Sequence, residues 1–333
     1  MNADNSFTTF KTRNSSIELL RILAMVAIIF FHFHARNFRL YVFGNERILE
    51  EGLFLHTILH HIGLLGVPCF MFISGYYGMK FKTNRMIDII MQCFFYAMLS
   101  FIGISMANGY LTGAEQVFFF NNWWFIMSYV VLYVFSKGIN NIIEDLPSQK
   151  LLYLISFLYF ILIGSLFNKS ATVSGTILLL AFYLVARYVK LYLTEKQKTI
   201  LIWAALGIAI LHLLGIWISF KTVHLGALPY LGSYNNPLNI LCVGGLVVAT
   251  ERIHFSSKII NYLASSSLAT YLFSESLWGQ KLFQGFYATI EGVHYGIVYL
   301  VMSIIIFLIC VMIDKLRIIF IMPLIYHTKL IDK

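Results

Sequence analysis

The sequence predicts an all-α fold, a polytopic transmembrane helical bundle of about ten spans with both termini cytoplasmic. Three observations predict it. First, 59% of the 333 residues are apolar and only 12% charged, against roughly a quarter charged in an average soluble domain. One soluble core cannot bury that much apolar surface, and the mean hydropathy of +0.78 makes the bilayer the solvent for most of it. Second, the apolar residues fall in runs long enough to cross a bilayer. Third, lysine and arginine alternate between the connecting segments.

A span needs about 20 mostly apolar residues. In chain order the candidates are Ser16 to Phe33, Thr57 to Tyr77, Met86 to Met106, Phe118 to Ser136, Leu151 to Phe167, Thr172 to Lys190, Thr199 to Phe220, Pro237 to Thr250, Ile259 to Trp278 and His294 to Ile313. The eighth is short, and an earlier start near Leu228 with a break around Pro237 would lengthen it. The first run is not followed by a small-residue cleavage site, so it reads as a retained span and not as a signal peptide. Leu316 to Lys333 is too short and too charged for an eleventh span and suits the inner membrane face. No soluble domain is expected at either end, so residues 1–333 read as one integral membrane domain.

Orientation follows from the basic residues. With the N-terminus in the cytoplasm, 17 of the 24 lysines and arginines lie on cytoplasmic segments and six on outer ones (Arg36, Arg39, Arg47, Lys169, Lys221 and Lys281), and Arg21 lies within the first span. This placement at helix ends also rejects nucleic acid as the partner of the +9 net charge, since no single basic patch forms. Cys69, Cys93, Cys242 and Cys310 lie in apolar runs without metal-ligand spacing and read as small core hydrophobes. His56 and His60 are four apart, but no acidic ligand stands nearby and HExxH is absent. No metal is expected.

The first span, SIELLRILAMVAIIFFHFH, carries Glu18, Arg21, His32 and His34. Ionisable groups inside a span are costly and mark function by default. Glu18 and Arg21, three apart, share a face. Arg21 and His32, eleven apart, turn the helix by about 1100°, some 20° from three whole turns, and rise about 16 Å. They lie on one stripe, with Arg21 nearer the cytoplasm. His34 is about 220° round from Arg21, which favours His32 as the working residue. Geometry alone leaves two readings open. Either Arg21 snorkels to the headgroups while His32 hydrogen-bonds a neighbouring helix, or the pair belongs to a site.

Glu18-Leu-Leu-Arg21 followed ten residues later by His32 resembles the first helix of the membrane-bound acyltransferase 3 family. PCFMFISGYYG (Pro68 to Gly78) is similar to that family's F-x-x-S-G-[FY] segment, and Lys82-Thr-Asn-Arg85 stands where it often has R-x-x-R. NNWWFIMSYVVLYVFSKGIN, SYNNPLNIL (Ser233 to Leu241) and SSLATYLFSES are similar to its fourth, late and penultimate spans. Two positions depart from the pattern: Ser274 stands where many members have histidine, and Lys82 replaces an arginine.

The resemblance implies transfer of an acyl group, usually acetyl from acetyl-CoA, to a hydroxyl of an extracytoplasmic glycan at the plasma membrane. His32 and Glu18 become the candidate catalytic residues. His32 is the general base, its unperturbed pKa of about 6.5 suiting that task. Arg21, Lys82, Arg85 and Ser74 become the donor side, where a permanent guanidinium charge suits the phosphates of acyl-CoA. Lys82 and Arg85 read equally well as positive-inside anchors, and Gly75 either admits the thioester or only allows helices to pack. Trp123, Trp124, Tyr234, Asn235 and Glu275 become the acceptor side. The tryptophans, beside Asn121 and Asn122, equally fit an interfacial aromatic belt. Glu275 could instead orient His32 or balance Arg21. A transporter of lipid-linked sugar without acyl chemistry is the alternative, and the lack of an internal repeat weighs against it. Acceptor sugar and acyl length are not legible.

Overall fold

The computed structural model describes residues 14–37, 53–119, 123–167, 175–222, 228–288 and 295–320. These residues form helices without strands, and eight helical stretches are long and apolar enough to cross a membrane.

The elements are α1 (Ser15–Asn37), α2 (Leu53–Leu64), α3 (Gly66–Tyr77), α4 (Thr83–Asn108), α5 (Ala114–Phe119), α6 (Trp124–Asp145), α7 (Ser148–Phe167), α8 (Gly175–Tyr192), α9 (Glu195–Thr222), α10 (Leu228–Leu231), α11 (Pro237–Glu251), α12 (Lys258–Ala264), α13 (Ser267–Ser274), α14 (Leu277–Ala288) and α15 (Tyr295–Phe320). The second expected span is α2 and α3 in series. Pro68 has no N–H to give the Leu64 carbonyl, so the helix breaks there. The break expected near Pro237 is present. Pro237 opens α11, a position where its missing N–H costs nothing, and the Asn236 side chain caps it by accepting from the Leu238 N–H at 3.0 Å.

Three expectations need correction. The fourth span begins at Trp124, not Phe118, and runs on to Asp145, because Phe118 belongs to the separate short helix α5 and the polar stretch after Ser136 stays helical. The ninth span is not continuous. Serines divide it into α12, α13 and α14, since their hydroxyls compete for backbone groups: Ser276 Oγ donates to the Phe273 carbonyl (2.7 Å) and accepts from the Gly279 N–H (3.0 Å). Finally, Leu316 to Phe320 continue α15 instead of lying separately.

Helix α1 is the hub. It packs against α2, α3, α11, α12, α13, α14 and α15. Its start is tied to the start of α12, where Ser15 Oγ accepts from the Ser257 N–H (2.8 Å) and donates to Asn261 Oδ1 (2.9 Å). Close pairs elsewhere use small residues. Gly245 of α11 lies on Ala205 of α9, and a Cβ at Gly75 of α3 would come 2.7 Å from Ala186 of α8. Gly75 is therefore a packing residue, the plainer of its two readings. The four cysteines are free, and all but the half-buried Cys242 are buried.

Candidate functional site

On α1 the 3.6-residue period places Glu18, Arg21, Met25 and Ile28 along one stripe, and this stripe forms one wall of a cavity of about 480 Å³. That volume falls within the roughly 300–1,000 Å³ of ligand pockets. Val67, Phe70 and Ser74 of α3, Arg85 and Ile89 of α4, the aromatic face of α6 and the Ala264–Leu268 break complete the lining. Glu18, Arg21, Ser74 and Arg85 thus meet in one chamber. Arg21 Nη1 lies 3.4 Å from both Glu18 carboxylate oxygens, with Glu18 buried and a third of the Arg21 side chain exposed (34%). The Ser74 hydroxyl donates to the Phe70 carbonyl at 2.9 Å and meets the Tyr129 hydroxyl. Lys82 is exposed and stands outside the lining, as the extended residue before α4.

The turn between α3 and α4 aims Arg85 at this chamber, and it is held from α6 and α8. The Tyr133 hydroxyl donates to the Lys80 carbonyl and accepts from the Lys82 N–H, both at 3.1 Å. Asn140 Nδ2 donates to the Met79 carbonyl (2.8 Å), and the Tyr183 hydroxyl bonds the Met79 N–H (3.1 Å) and Asn140 Oδ1 (2.6 Å). Gly78 adopts φ 74°, which favours glycine, and a Cβ there would come 2.9 Å from Nη1 of the buried Arg187. Arg187 in turn reaches Glu144 at 3.6 Å.

Beyond the cavity's other end, His32 Nδ1 lies 3.3 Å from Glu275 Oε2, with the carboxylate side chain only 4% exposed. Glu275 sits at the α13–α14 break, where the Ser276 cap turns the chain. Its carbonyl accepts from Gln280 Nε2 at 2.8 Å. The unwound backbone is buried in protein, the condition under which membranes tolerate it. An imidazole oriented through Nδ1 by a buried carboxylate is an arrangement suited to proton abstraction by its other ring nitrogen. Glu18, named with His32 as a candidate catalytic residue, pairs with Arg21 as its spacing suggests and does not reach His32. Fourteen residues of helix, about 21 Å, separate it from His32. Glu275, grouped above with the acceptor side, takes the place beside His32.

The remaining acceptor-side residues divide. Trp123 is fully buried in the core and offers no stacking face, a correction whose reason is that α6 starts beside it and packs it inward. Trp124 is half-buried, its ring centroid 6.1 Å from that of Tyr234. Asn235 Nδ2 donates to Ser165 Oγ at 2.7 Å, which joins the α10–α11 turn to α7. Ser274 is buried with its hydroxyl toward the Tyr271 carbonyl of its own helix, at 3.5 Å. Asn121 and Asn122 lie outside the described residues, as does the His34 side chain. His61 places its ring nitrogens 2.8 Å from the Thr57 carbonyl and 3.2 Å from that of Leu228, a structural role.

Sequence reasoning missed the aromatic wall. Phe125, Tyr129 and Tyr133 stand four apart on α6 and line the cavity, with Tyr129 and Tyr133 stacked at 6.2 Å and 8°. Their i, i+4, i+8 spacing was the available signal. Tyr271 joins them from α13.

A family model described as an acyltransferase domain matches residues 14–314. No curated protein and no solved structure matches the chain.

Proposed function

The chain belongs to the acyltransferase 3 family, a family of membrane acyltransferases, and on that premise we propose that it transfers an acetyl group from acetyl-CoA to a hydroxyl of a cell-surface polysaccharide or glycolipid precursor, at the plasma membrane. The observation that carries this reading is the His32–Glu275 pair at 3.3 Å, set one helical turn beyond a cavity that has Arg21 and Arg85 toward its far end.

In this reading the cytoplasmic donor enters at the Arg21 end. Arg21 and Arg85 bind its phosphates, since guanidinium groups match phosphate oxygens in pairs. Lys82 adds charge at the mouth without lining the chamber. The pantetheine arm runs along the α1 stripe past Ser74. About 16 Å of helix separates Arg21 from His32, a distance such an extended arm can bridge. At the far end His32 Nε2 takes the proton from the acceptor hydroxyl, whose oxygen attacks the thioester carbonyl. The carbon–sulfur bond breaks, and the CoA thiolate leaves and takes up the proton from His32. Glu275 steadies the imidazolium while it exists. In this reading Trp124, Tyr234 and Asn235 serve the approaching acceptor glycan, supported by the packing of the Trp124 ring beside that of Tyr234.

The test is transfer of label from radiolabelled acetyl-CoA to envelope glycan in membranes carrying the wild-type chain or His32→Ala. Transfer by the wild type and its collapse in an inserted, folded mutant are expected. Undiminished labelling in the mutant removes His32 from the chemistry. Absent labelling, together with glycan export that depends on the protein, establishes a transporter instead.

A further inference from the structure

Among the described residues that line the cavity, only Arg85 and Ser265 are exposed; the others are buried or half-buried. These two mark its mouth. Arg85 stands in the first turn of α4, and Ser265 is the residue that ends α12. The mouth lies at the end of the bundle where α1 begins, since Ser15 of α1 is bonded to Asn261, one turn before Ser265. Ser265 also carries a cation. Lys315 of α15 donates from Nζ to Ser265 Oγ at 2.8 Å, and the same ammonium lies 4.0 Å from the centroid of the Tyr262 ring. A hydroxyl and a ring face hold Lys315 at the rim, but neither cancels its charge. The adjacent Asp314 does not cancel it either. That carboxylate is buried, and Arg317 takes its Oδ1 through Nε at 2.9 Å and Nη2 at 2.8 Å. Among the described residues no carboxylate comes within 4 Å of Lys315 or Arg85. The lining residues and Lys315 together carry three cations, Arg21, Arg85 and Lys315, and one carboxylate, Glu18.

We propose that Lys315 binds the ribose 3′-phosphate of the acyl-CoA donor, as a third phosphate ligand after Arg21 and Arg85. The proposal rests on the acyltransferase reading above. Coenzyme A carries its phosphates in a fixed order. The pyrophosphate follows the pantetheine arm, and the 3′-phosphate lies beyond it on the ribose. With the thioester deepest, the pyrophosphate falls between the inner Arg21 and the rim Arg85, and the 3′-phosphate falls outside it, at the rim. Guanidinium forks suit the paired oxygens of the pyrophosphate. A terminal phosphate monoester carries about −1.5 to −2 charges at pH 7, and an ammonium point charge on a flexible stem suits it. Lys315 exchanges only a neutral hydroxyl partner for this phosphate, so no ion pair has to break.

The experiment measures KM and kcat for acetyl-CoA and for acetyl-3′-dephospho-CoA in membranes carrying the wild type, Lys315→Gln, Lys315→Arg or Arg85→Gln. The wild type is expected to show a KM about tenfold higher for the dephospho donor, the lower end of the range for a hydrogen bond to a charged group, at similar kcat. Lys315→Gln should raise the KM for acetyl-CoA by about the same factor and leave the two donors equal, because the variant and the missing phosphate remove one interaction. Lys315→Arg should keep the preference. Arg85→Gln should raise both KM values and keep their ratio. A KM does not depend on the folded amount, and the wild-type comparison needs no variant to fold. A wild type that uses both donors equally, a Lys315→Gln chain that still prefers the phosphorylated donor, or an Arg85→Gln chain that loses the preference overturns the assignment and leaves the acyltransferase reading standing. A wild type that transfers acetyl from neither donor overturns both.

Discussion

Helices α1 and α9 are both long and apolar, with mean hydropathies of 2.0 and 2.3 over their spanning windows, yet 61% of the first window is buried inside the protein and only 17% of the second. The more apolar helix is the less buried one. Lipid tails are as apolar as leucine, so hydrophobicity does not draw a helix into a bundle. Polar groups and close packing do. Helix α1 carries Glu18, Arg21 and His32, each of which needs a partner or a water-filled chamber, and seven helices surround it. Helix α9 has no charged side chain between Lys198 and Lys221 and turns Leu211 and Trp217 outward.

This contrast can be broken or sharpened by substitution. The largest effect is expected at His32. Alanine there should lower acyl transfer by about 10²–10⁴-fold, the usual contribution of a general base, with membrane insertion unchanged in a protease-protection assay. Glu275→Gln should follow at about 10²-fold, because the imidazole loses its charged partner while keeping its base nitrogen. Glu275→Asp should recover part of that rate, which an effect on packing alone would not produce. Arg21→Ala should raise the KM for acyl-CoA by about 10–100-fold with little change in kcat, the signature of lost binding through a charge-assisted hydrogen bond. Adding Glu18→Gln should restore thermal stability in detergent, by removing an unpaired buried acid, without restoring KM.

Smaller effects test the packing. Gly75→Ala must displace Ala186 or the Tyr183 carbonyl, 2.7 and 2.8 Å from the new Cβ, and should cost about 1–3 kcal/mol, read as a lower Tm. At the opposite limit Leu211→Ala on α9, 65% exposed, should change stability by less than about 0.5 kcal/mol and leave acyl transfer untouched. A large loss there would show that α9 faces a protein partner, against the comparison drawn above.

Much of the site was legible from spacing. The eleven-residue step from Arg21 to His32 placed both on one stripe, and the structure lines that stripe with Glu18, Met25 and Ile28. Pro237 with Asn236 before it announced the break that opens α11. The carboxylate beside His32 was harder to choose. Glu275, 243 residues away, was left between orienting His32, balancing Arg21 and lining the acceptor side, because spacing along the chain does not tell which distant helix packs against α1. Trp123 was misread because a tryptophan beside an apolar run looks the same whether its ring faces inward or outward.

By itself the sequence determined that the chain lives in a membrane, where most of its spans fall and which charges they carry, because hydropathy and helical period are properties of local runs. Tertiary structure alone decided that the ninth span breaks at Ser274–Ser276 and that the break delivers Glu275 to His32. It also decided that Phe125 and Tyr271 meet in the cavity wall. The break depends on serine hydroxyls satisfying backbone groups that straight helix would have paired, a saving that averaging over a hydropathy window conceals. The meeting depends on two helices about 145 residues apart being packed together, which no local pattern records.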